Sequence, residues 1–434
     1  MIRVRLAPSP TGSPHIGTAW QALFDYVFAK KNSGKFILRL EDTDQARFVE
    51  GSEAEIYETL NWLGFEYDEG PNKDGNFGPY RQSQRLEIYK KYADELLEKG
   101  LAYEDEGAIR FKINKEGSTT YHDLVGDKDI VIENSTQEDF VIIKSDSYPT
   151  YNFANVIDDH LMEISHVIRG NEYISSMPKY IQLYASFGWE PPQFAHLPLL
   201  VGSDRSKLSK RHGAKGALEF KKEGFIKPAL INFLALLGWS HPSGSEIFSL
   251  EEMVEVFDFK NFNQSSAYFD ITKLEWLNGE YIRRMDDKEL EKELDEYLVD
   301  HPGKGKLAPI IPLVKERIKK LSDFIPLTDF FFDKVEYDME VFKKLSIKNL
   351  SEILEKLLQK LDGLKKPWEA SEFESTFRKM AEDESISVRD MFQLIRVCIS
   401  GQLVTPPLFE SIKILGEDKT LARVGETIEF VKNN

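Results

Sequence analysis

The histidine set in PSPTGSPHIG, residues 8–17, has the neighbours that phosphate chemistry asks for. Prolines fix φ and glycines admit close backbone approach, so the stretch makes a rigid, open turn at the start of a helix. Free N–H groups and the helix dipole favour an anion there, and His15 can donate to a phosphate oxygen as charge develops on it. The pattern is neither GxxxxGK[ST] nor GxGxxG, and it also suits a plain strand-to-helix turn with His15 as a cap. A second stretch, SDRSKLSKRHG at 203–213, gathers Arg205, Lys207, Lys210, Arg211 and His212 behind the apolar run PLLV. Such cations either neutralise a polyphosphate in transit or form a solvated surface loop. In EDTD, residues 41–44, Glu41 can accept from an ammonium group and Asp44 can order a neighbouring loop; a strand-ending turn explains the same letters. Arg169 in HVIRGNEY suits a bound anion or a structural salt bridge, and Tyr151 in YPTYNFANVIDD suits the core or a ligand contact.

The elements that position these residues are legible from periodicity. Ile2–Leu6 alternates as a strand, and residues from about His15 to Asn32 carry Ala19, Leu23, Tyr26 and Val27 at helical spacing, closed by KKNSG. Lys35–Leu40 is a second strand that ends in EDTD. Strand, helix, strand within about 40 residues is a right-handed crossover, the opening of a doubly wound sheet. Ligands bind such sheets beyond the carboxyl ends of the strands, where both PSPTGSPHIG and EDTD lie. Helices are predicted over 53–63 and 82–99; residues 101–150 alternate short β-like runs with turns and read as a small β-rich insertion. The α/β pattern resumes through NVIDDHLMEISHVIRG to FAHLPLLVG, and amphipathic helices dominate after residue 215. PWEASEF, near residue 370, reads as a boundary between two helical subdomains.

Composition sets the limits. A chain of 434 residues exceeds one core and suggests two to four domains. No window approaches the roughly 18 apolar residues of a membrane span, and MIRVRLAPSP lacks a signal-peptide core, so a cytoplasmic protein without a membrane partner is expected. The lone cysteine, Cys398, excludes an intramolecular disulfide and a cysteine-rich zinc module; in FQLIRVCISG it reads as core. The net charge of −17 opposes nucleic-acid binding in general. However, residues 301–434 carry 22 Lys+Arg against 22 Asp+Glu, leaving 34 against 51 in the first 300, so a basic face in the last third stays open.

Taken in order, PSPTGSPHIGT, LRLEDTD, YPTYNFANVIDDH, HVIRGNE, HLPLL and SKLSKR resemble the signature set of bacterial-type glutamyl-tRNA synthetases, which are class I enzymes. PHIG is similar to their HIGH element and KLSKR to their KMSKS element; the likeness continues through KLEWLNGEYIRR and ISGQLVTPPLFESIKILG. The resemblance implies an α/β Rossmann-type class I catalytic domain, split by a small β-rich insertion and followed by all-α C-terminal anticodon-binding domains. On this chain it divides into 1–81 and 150–203 (the catalytic halves), 82–149 (a short acceptor-binding insertion without zinc), 204–290 (a stem-contact domain with the KLSKR loop), and 291–372 and 373–434 (two helical anticodon-binding subdomains).

The same resemblance implies ATP-dependent activation of L-glutamate to glutamyl adenylate, then transfer to the 3′-terminal adenosine of glutamate tRNA, with Mg²⁺ accompanying ATP and the protein a monomer. Carried over position by position, Arg5, Ala7, Ser9, Glu41, Tyr151 and Arg169 match the glutamate pocket, and His15, Gly17, Glu172, Leu200, Lys207 and Lys210 the ATP contacts. His15, Lys207 and Lys210 are the implied catalytic residues, with Lys210 the leading cation. Asp44 and Arg47 fall near the tRNA acceptor end, and Arg317, Arg396, Thr405, Pro406 and Leu408 at positions that meet the anticodon in relatives. An arginine at the place of Arg317 goes with strict discrimination against glutamine tRNA. Two departures stand out: the insertion is short and has no cysteine, and KLSKR has Leu208 and Arg211 where the motif usually has methionine or isoleucine and serine. A paralogue that glutamylates a tRNA base would lack the helical third, glutaminyl and archaeal-type relatives would carry a β-barrel there, and a silent tRNA-binding relative would not need His15, Lys207 and Lys210.

Overall fold

All four residues of the first strand are buried, Val4 and Leu6 by apolar packing and Arg3 and Arg5 in ion pairs with Glu69 and Asp159. β1 (Arg3–Leu6) runs into the proline-rich turn, α1 (Ile16–Lys31) follows, and β2 (Lys35–Leu38) pairs parallel to β1 in the register Arg3↔Lys35 to Leu6↔Leu38. The return after α1 is tight: a Cβ on Gly34 would stand 2.6 Å from the carbonyl oxygen of Ile2, so only glycine fits. The predicted strand to Leu40 ends at Leu38; beyond it Arg39 still donates to the Leu6 carbonyl at 3.0 Å, and Leu40, facing the other way, donates to the Tyr80 carbonyl at 2.9 Å. The computed structural model describes residues 1–208, 215–364, 366 and 368–434.

Helices α2 (Ser52–Leu63) and α3 (Leu86–Glu98) follow, then five strands: β3 (Ala102–Asp105), β4 (Ala108–Phe111), β5 (Ser118–Asp123), β6 (Lys128–Glu133) and β7 (Phe140–Ile143). The chain re-enters the α/β pattern with α4 (Tyr151–Leu161), β8 (His166–Gly170), α5 (Met177–Phe187) and β9 (Gln193–Leu197). The segment read as a separate β-rich insertion is divided. β3, β4 and β7 form their own antiparallel sheet, whereas the β5–β6 hairpin joins the catalytic strands in the order β6-β5-β9-β8. Thr119, Tyr121 and Asp123 alternate inward along β5, and Tyr121 packs edge-on against Phe194 of β9, which fixes that junction. β8 in turn meets β1 through Ser165, whose N–H donates to the Arg3 carbonyl at 2.9 Å. Two further short strands, β10 (Leu200–Val201) and β11 (Ala267–Tyr268), pair parallel just beyond β9.

The chain divides into two compact units, Met1–Lys221 with Lys227–Leu277, and Lys222–Ile226 with Asn278–Asn434. The second is helical, as its periodicity predicts, with Asp287–Tyr297, Leu350–Asp362, Ala370–Asp383, Val388–Ser400, Leu408–Leu415 and Glu417–Asn433 as its longer helices. Cys398 is core as expected, fully buried on Val388–Ser400, and burial pushes its thiol up to about 12. PWEASEF does not separate two independently packed halves: Leu350–Asp362, before it, lies against Glu417–Asn433, after it, with Lys432 paired to Glu355 at 2.6 Å. Their apolar stripes complete each other, and Pro367 lies outside the described residues.

Candidate active site

Two neighbouring cavities open at the carboxyl ends of β1, β2 and β8. The larger, about 780 Å³, is lined among others by Arg5, Ala7, Ser9, Glu41, Asp44, Arg47, Tyr151 and Arg169. The smaller, about 240 Å³, is lined by His15, Gly17, Glu172, Leu200, Lys207 and Leu208 among others, and Thr18, Gln21 and Tyr173 face both. The structure thus brings together residues that are up to about 200 positions apart in the chain. Lys210, with Arg211 and His212, lies outside the described residues; the described chain on either side, Lys207 and Lys215, borders the start of α1.

His15 caps α1, its Nδ1 accepting from the Gly17 N–H at 3.0 Å. An Nδ1 that accepts leaves the hydrogen of the neutral ring on Nε2, so the cap reading and the donor reading are compatible. The first helical N–H, of Ile16, donates to the Lys215 carbonyl at 3.0 Å, which ties the return from the KLSKR segment to the head of α1. Lys207 Nζ pairs with Glu172 at 2.8 Å; burial pushes the Glu172 carboxyl up, but the hydrogen bond from Lys207, a backbone N–H and the Lys207 charge together outweigh it and hold the group below the usual range. Leu208 is buried and its N–H donates to the Leu200 carbonyl at 2.9 Å, so leucine fills the motif's apolar position without strain.

The larger cavity rests on a buried charge network that sequence reading only half found. Arg39, fully buried, donates to Asp159 at 2.6 Å and to Glu41 at 3.1 Å, and its Nε stands 3.8 Å from Asp158. Arg5 shares Asp159 at 3.0 Å and reaches Asn155 at 3.3 Å. One oxygen of Glu41 is taken by Arg39 and by the Asn155 amide at 3.0 Å; the other, Oε2, is buried with no hydrogen-bond partner among the described residues. Burial drives the Glu41 carboxyl upward, with Arg39 and Arg5 opposing. Arg39, Asn155, Asp158 and Asp159 were missed. Their only signal was alternation in LRLE, which puts Arg39 and Glu41 on one side, and two acids on the apolar face of α4.

Arg169 is different, because its neighbours are uncharged or aromatic. Only 3% exposed, it donates from Nε to His196 at 3.3 Å and lies 4.3 Å from the Tyr180 ring centre and 4.9 Å from that of Tyr173. Among the described residues no carboxylate pairs with it, although a buried cation without an anion is costly. The salt-bridge reading of Arg169 therefore fails for these residues. Tyr151 faces the cavity with its ring 5.5 Å from Tyr173, and burial together with Glu41 raises its hydroxyl well above the ordinary value. Asp44 and Arg47 pair with each other at 2.6 Å on the exposed rim.

In the helical unit the sequence-predicted residues converge on one turn. Arg317 Nη1 donates to the Thr405 carbonyl at 2.6 Å, and Arg396 Nη1 to the Thr405 hydroxyl at 2.6 Å and the Pro406 carbonyl at 3.1 Å. Burial and then Arg317 lower the basicity of Arg396. Thr405, Pro406 and Leu408 are buried and shape the turn that holds the two arginines.

Residues 1–108 and 104–276 match the family of tRNA synthetases class I (E and Q), catalytic domain, and residues 288–428 match an anticodon binding domain. The chain belongs to this class I tRNA synthetase family. It is 39% identical to a glutamate–tRNA ligase of Dehalococcoides mccartyi over 98% of each sequence. It is 41% identical to glutamate–tRNA ligase 2 of Thermosipho melanesiensis over 99% of each. The crystal structure of a glutamate tRNA ligase from Elizabethkingia meningosepticum in complex with its amino acid superposes with a TM-score of 0.86 at 31% identity, covering 99% of both chains. No helix among the described residues is long and apolar enough to cross a membrane.

Proposed function

We propose that the protein is a glutamate–tRNA ligase. The α-carboxylate of L-glutamate attacks the α-phosphorus of ATP, pyrophosphate leaves, and a hydroxyl of the 3′-terminal adenosine of glutamate tRNA then takes the glutamyl group with loss of AMP. One observation carries this reading: a single cavity holds a buried arginine with no carboxylate partner among the described residues and a buried carboxylate oxygen with no donor. That cavity asks for a ligand with its own carboxylate and ammonium, as an amino acid with an acidic side chain has. Arg5 and Arg169 are the cations for its two carboxylates, Glu41 takes the ammonium, and Ala7, Ser9 and Tyr151 complete the wall. No covalent enzyme intermediate is required; the protein positions reactants and stabilises phosphate charge.

ATP is assigned to the smaller cavity, against Gly17, Glu172 and Leu200, with His15, Lys207 and Lys210 meeting the phosphates. Glu172 is the only carboxylate among the described lining residues and is already paired, which suits Mg²⁺ carried on the nucleotide rather than caged by the protein. The acceptor end is assigned to Asp44 and Arg47 and the anticodon to Arg317 and Arg396. We take the protein as a cytoplasmic monomer without zinc in its cysteine-free insertion.

Charging assays with purified glutamate and glutamine tRNAs test the whole reading; absence of glutamyl-tRNA would reject it. His15→Ala and Lys207→Ala should each slow glutamyl adenylate formation about 10²-fold with glutamate affinity retained, measured as pyrophosphate release per active site. Glu41→Gln should raise the glutamate KM roughly tenfold to a hundredfold by removing the charge opposite the ammonium, with ATP KM unmoved. Arg317→Gln should let glutamine tRNA be charged at a rate closer to that for glutamate tRNA; an unchanged ratio would dissociate Arg317 from discrimination.

A further inference from the structure

Arg169 does not hold its own place. Its Nε–H donates to His196 Nε2 at 3.3 Å, and the other ring nitrogen, Nδ1, stands 2.6 Å from Asp123 Oδ2. All three side chains are buried, on β8, β9 and β5 respectively. We propose that Asp123 and His196 are positioning residues that fix one imidazole tautomer, and so aim the Arg169 guanidinium into the amino-acid cavity; this rests on the reading of that cavity as the glutamate site.

The hydrogen-bond directions carry the inference. A donor at Nε2 needs a lone pair there, so the ring is neutral and its hydrogen sits on Nδ1, where the Asp123 carboxylate accepts it. Burial lowers the basicity of His196 and Arg169 adds to this, against Asp123 and Glu172, so the neutral ring is also the electrostatically favoured one. Tyr121, on the same strand as Asp123, packs its ring 5.7 Å from the imidazole and closes the site. The other carboxylate oxygen of Asp123 is also fixed, accepting from the Val125 N–H at 2.9 Å and the His196 N–H at 3.2 Å. With Nε taken by His196 and Nη2 against the Met177 sulfur at 2.9 Å, Nη1 is the edge that can meet a carboxylate. A strand of the inserted segment thereby helps to set the geometry of the amino-acid pocket, the consequence of the β5–β9 junction.

Asp123→Asn separates this relay from a merely structural tie. The two backbone N–H groups at Oδ1 require an oxygen there, so the amide –NH₂ must face His196 Nδ1. The ring then carries its hydrogen on Nε2, pointing at the Arg169 donor. The variant is close to isosteric, yet glutamate KM in the charging assay should rise about tenfold with ATP KM within twofold. His196→Phe should do the same, and His196→Gln, whose amide keeps one donor and one acceptor, should recover most of the loss. In full-length protein labelled with ¹⁵N-histidine, the His196 signals should pass from the Nδ1–H to the Nε2–H tautomer in Asp123→Asn, a change that a purely structural role does not produce. The relay is overturned if wild-type protein charges glutamate and folded Asp123→Asn keeps the wild-type glutamate KM, or if its tautomer is unchanged. Failure of the functional reading shows separately, as wild-type protein that charges no tRNA with glutamate.

Discussion

Arg169→Gln raises the KM for glutamate by about two orders of magnitude and leaves the KM for ATP within about twofold. The guanidinium is buried and has no carboxylate partner among the described residues, so a bound carboxylate gains a charge-assisted contact that water and protein do not already compete for. Glutamine at 169 can donate one hydrogen bond but brings no charge, and it cannot span from His196 to the cavity as the planar guanidinium does. The same change removes the reason to prefer a carboxylate over an amide, so discrimination between free glutamate and glutamine should fall with it. ATP is spared because Arg169 lines the larger cavity and not the smaller. Steady-state charging at saturating tRNA reads both constants. An unchanged glutamate KM would remove Arg169 from the pocket, and an equal rise in both constants would mean a general collapse of the site.

The contrast between Arg169 and Arg39 shows how far the letters carry. Arg169, His15 and Lys207 are legible because each sits in a short stretch whose composition suits chemistry more than packing, at the end of a readable strand or the start of a readable helix. Arg39 carries as much of the site but lies just past β2, in the run LRLE, where one arginine in an alternating pattern looks like any solvent-facing cation. Its partners Asp158 and Asp159 sit on α4, about 120 residues away, and their burial follows only from the way α4 packs among α3, α5 and β7. The β5–β6 hairpin failed for the same reason: its alternation marks strands, but their partner β9 comes about 70 residues later. In the helical unit, periodicity located the helices well, yet it could not show that Thr405, Pro406 and Leu408 are turned inward beneath Arg317 and Arg396. Local pattern shows which element forms; which polar residues become buried partners depends on long-range packing.

Arg39→Met is expected to be the most destabilising single change around the site, by about 3–5 kcal/mol at neutral pH. Methionine approximates the stem but leaves Glu41, Asp158 and Asp159 as buried acids that have lost a shared cation. Arg5 still holds Asp159 and Arg85 still holds Asp158 at 2.7 Å, so the network is weakened rather than erased. Against a typical total stability of about 5–15 kcal/mol, a loss of this size is large. The pH dependence gives the cause away. Burial pushes the Asp159 carboxyl up, but Arg5 and Arg39 together outweigh it and hold the group below the usual aspartate range. A carboxyl depressed in the folded state contributes stability that is fully present above its unfolded pKa and is lost as pH falls through the folded one. The deficit of Arg39→Met should therefore be full at pH 7 and shrink as the medium is acidified below the ordinary carboxylate range, because protonated acids no longer need the cation. Urea unfolding of wild type and variant across that range measures the gap directly. A gap that stays constant with pH would assign the loss to packing of the arginine stem and not to its charge; Arg39→Lys, which keeps the charge at reduced reach, should then be no better than methionine.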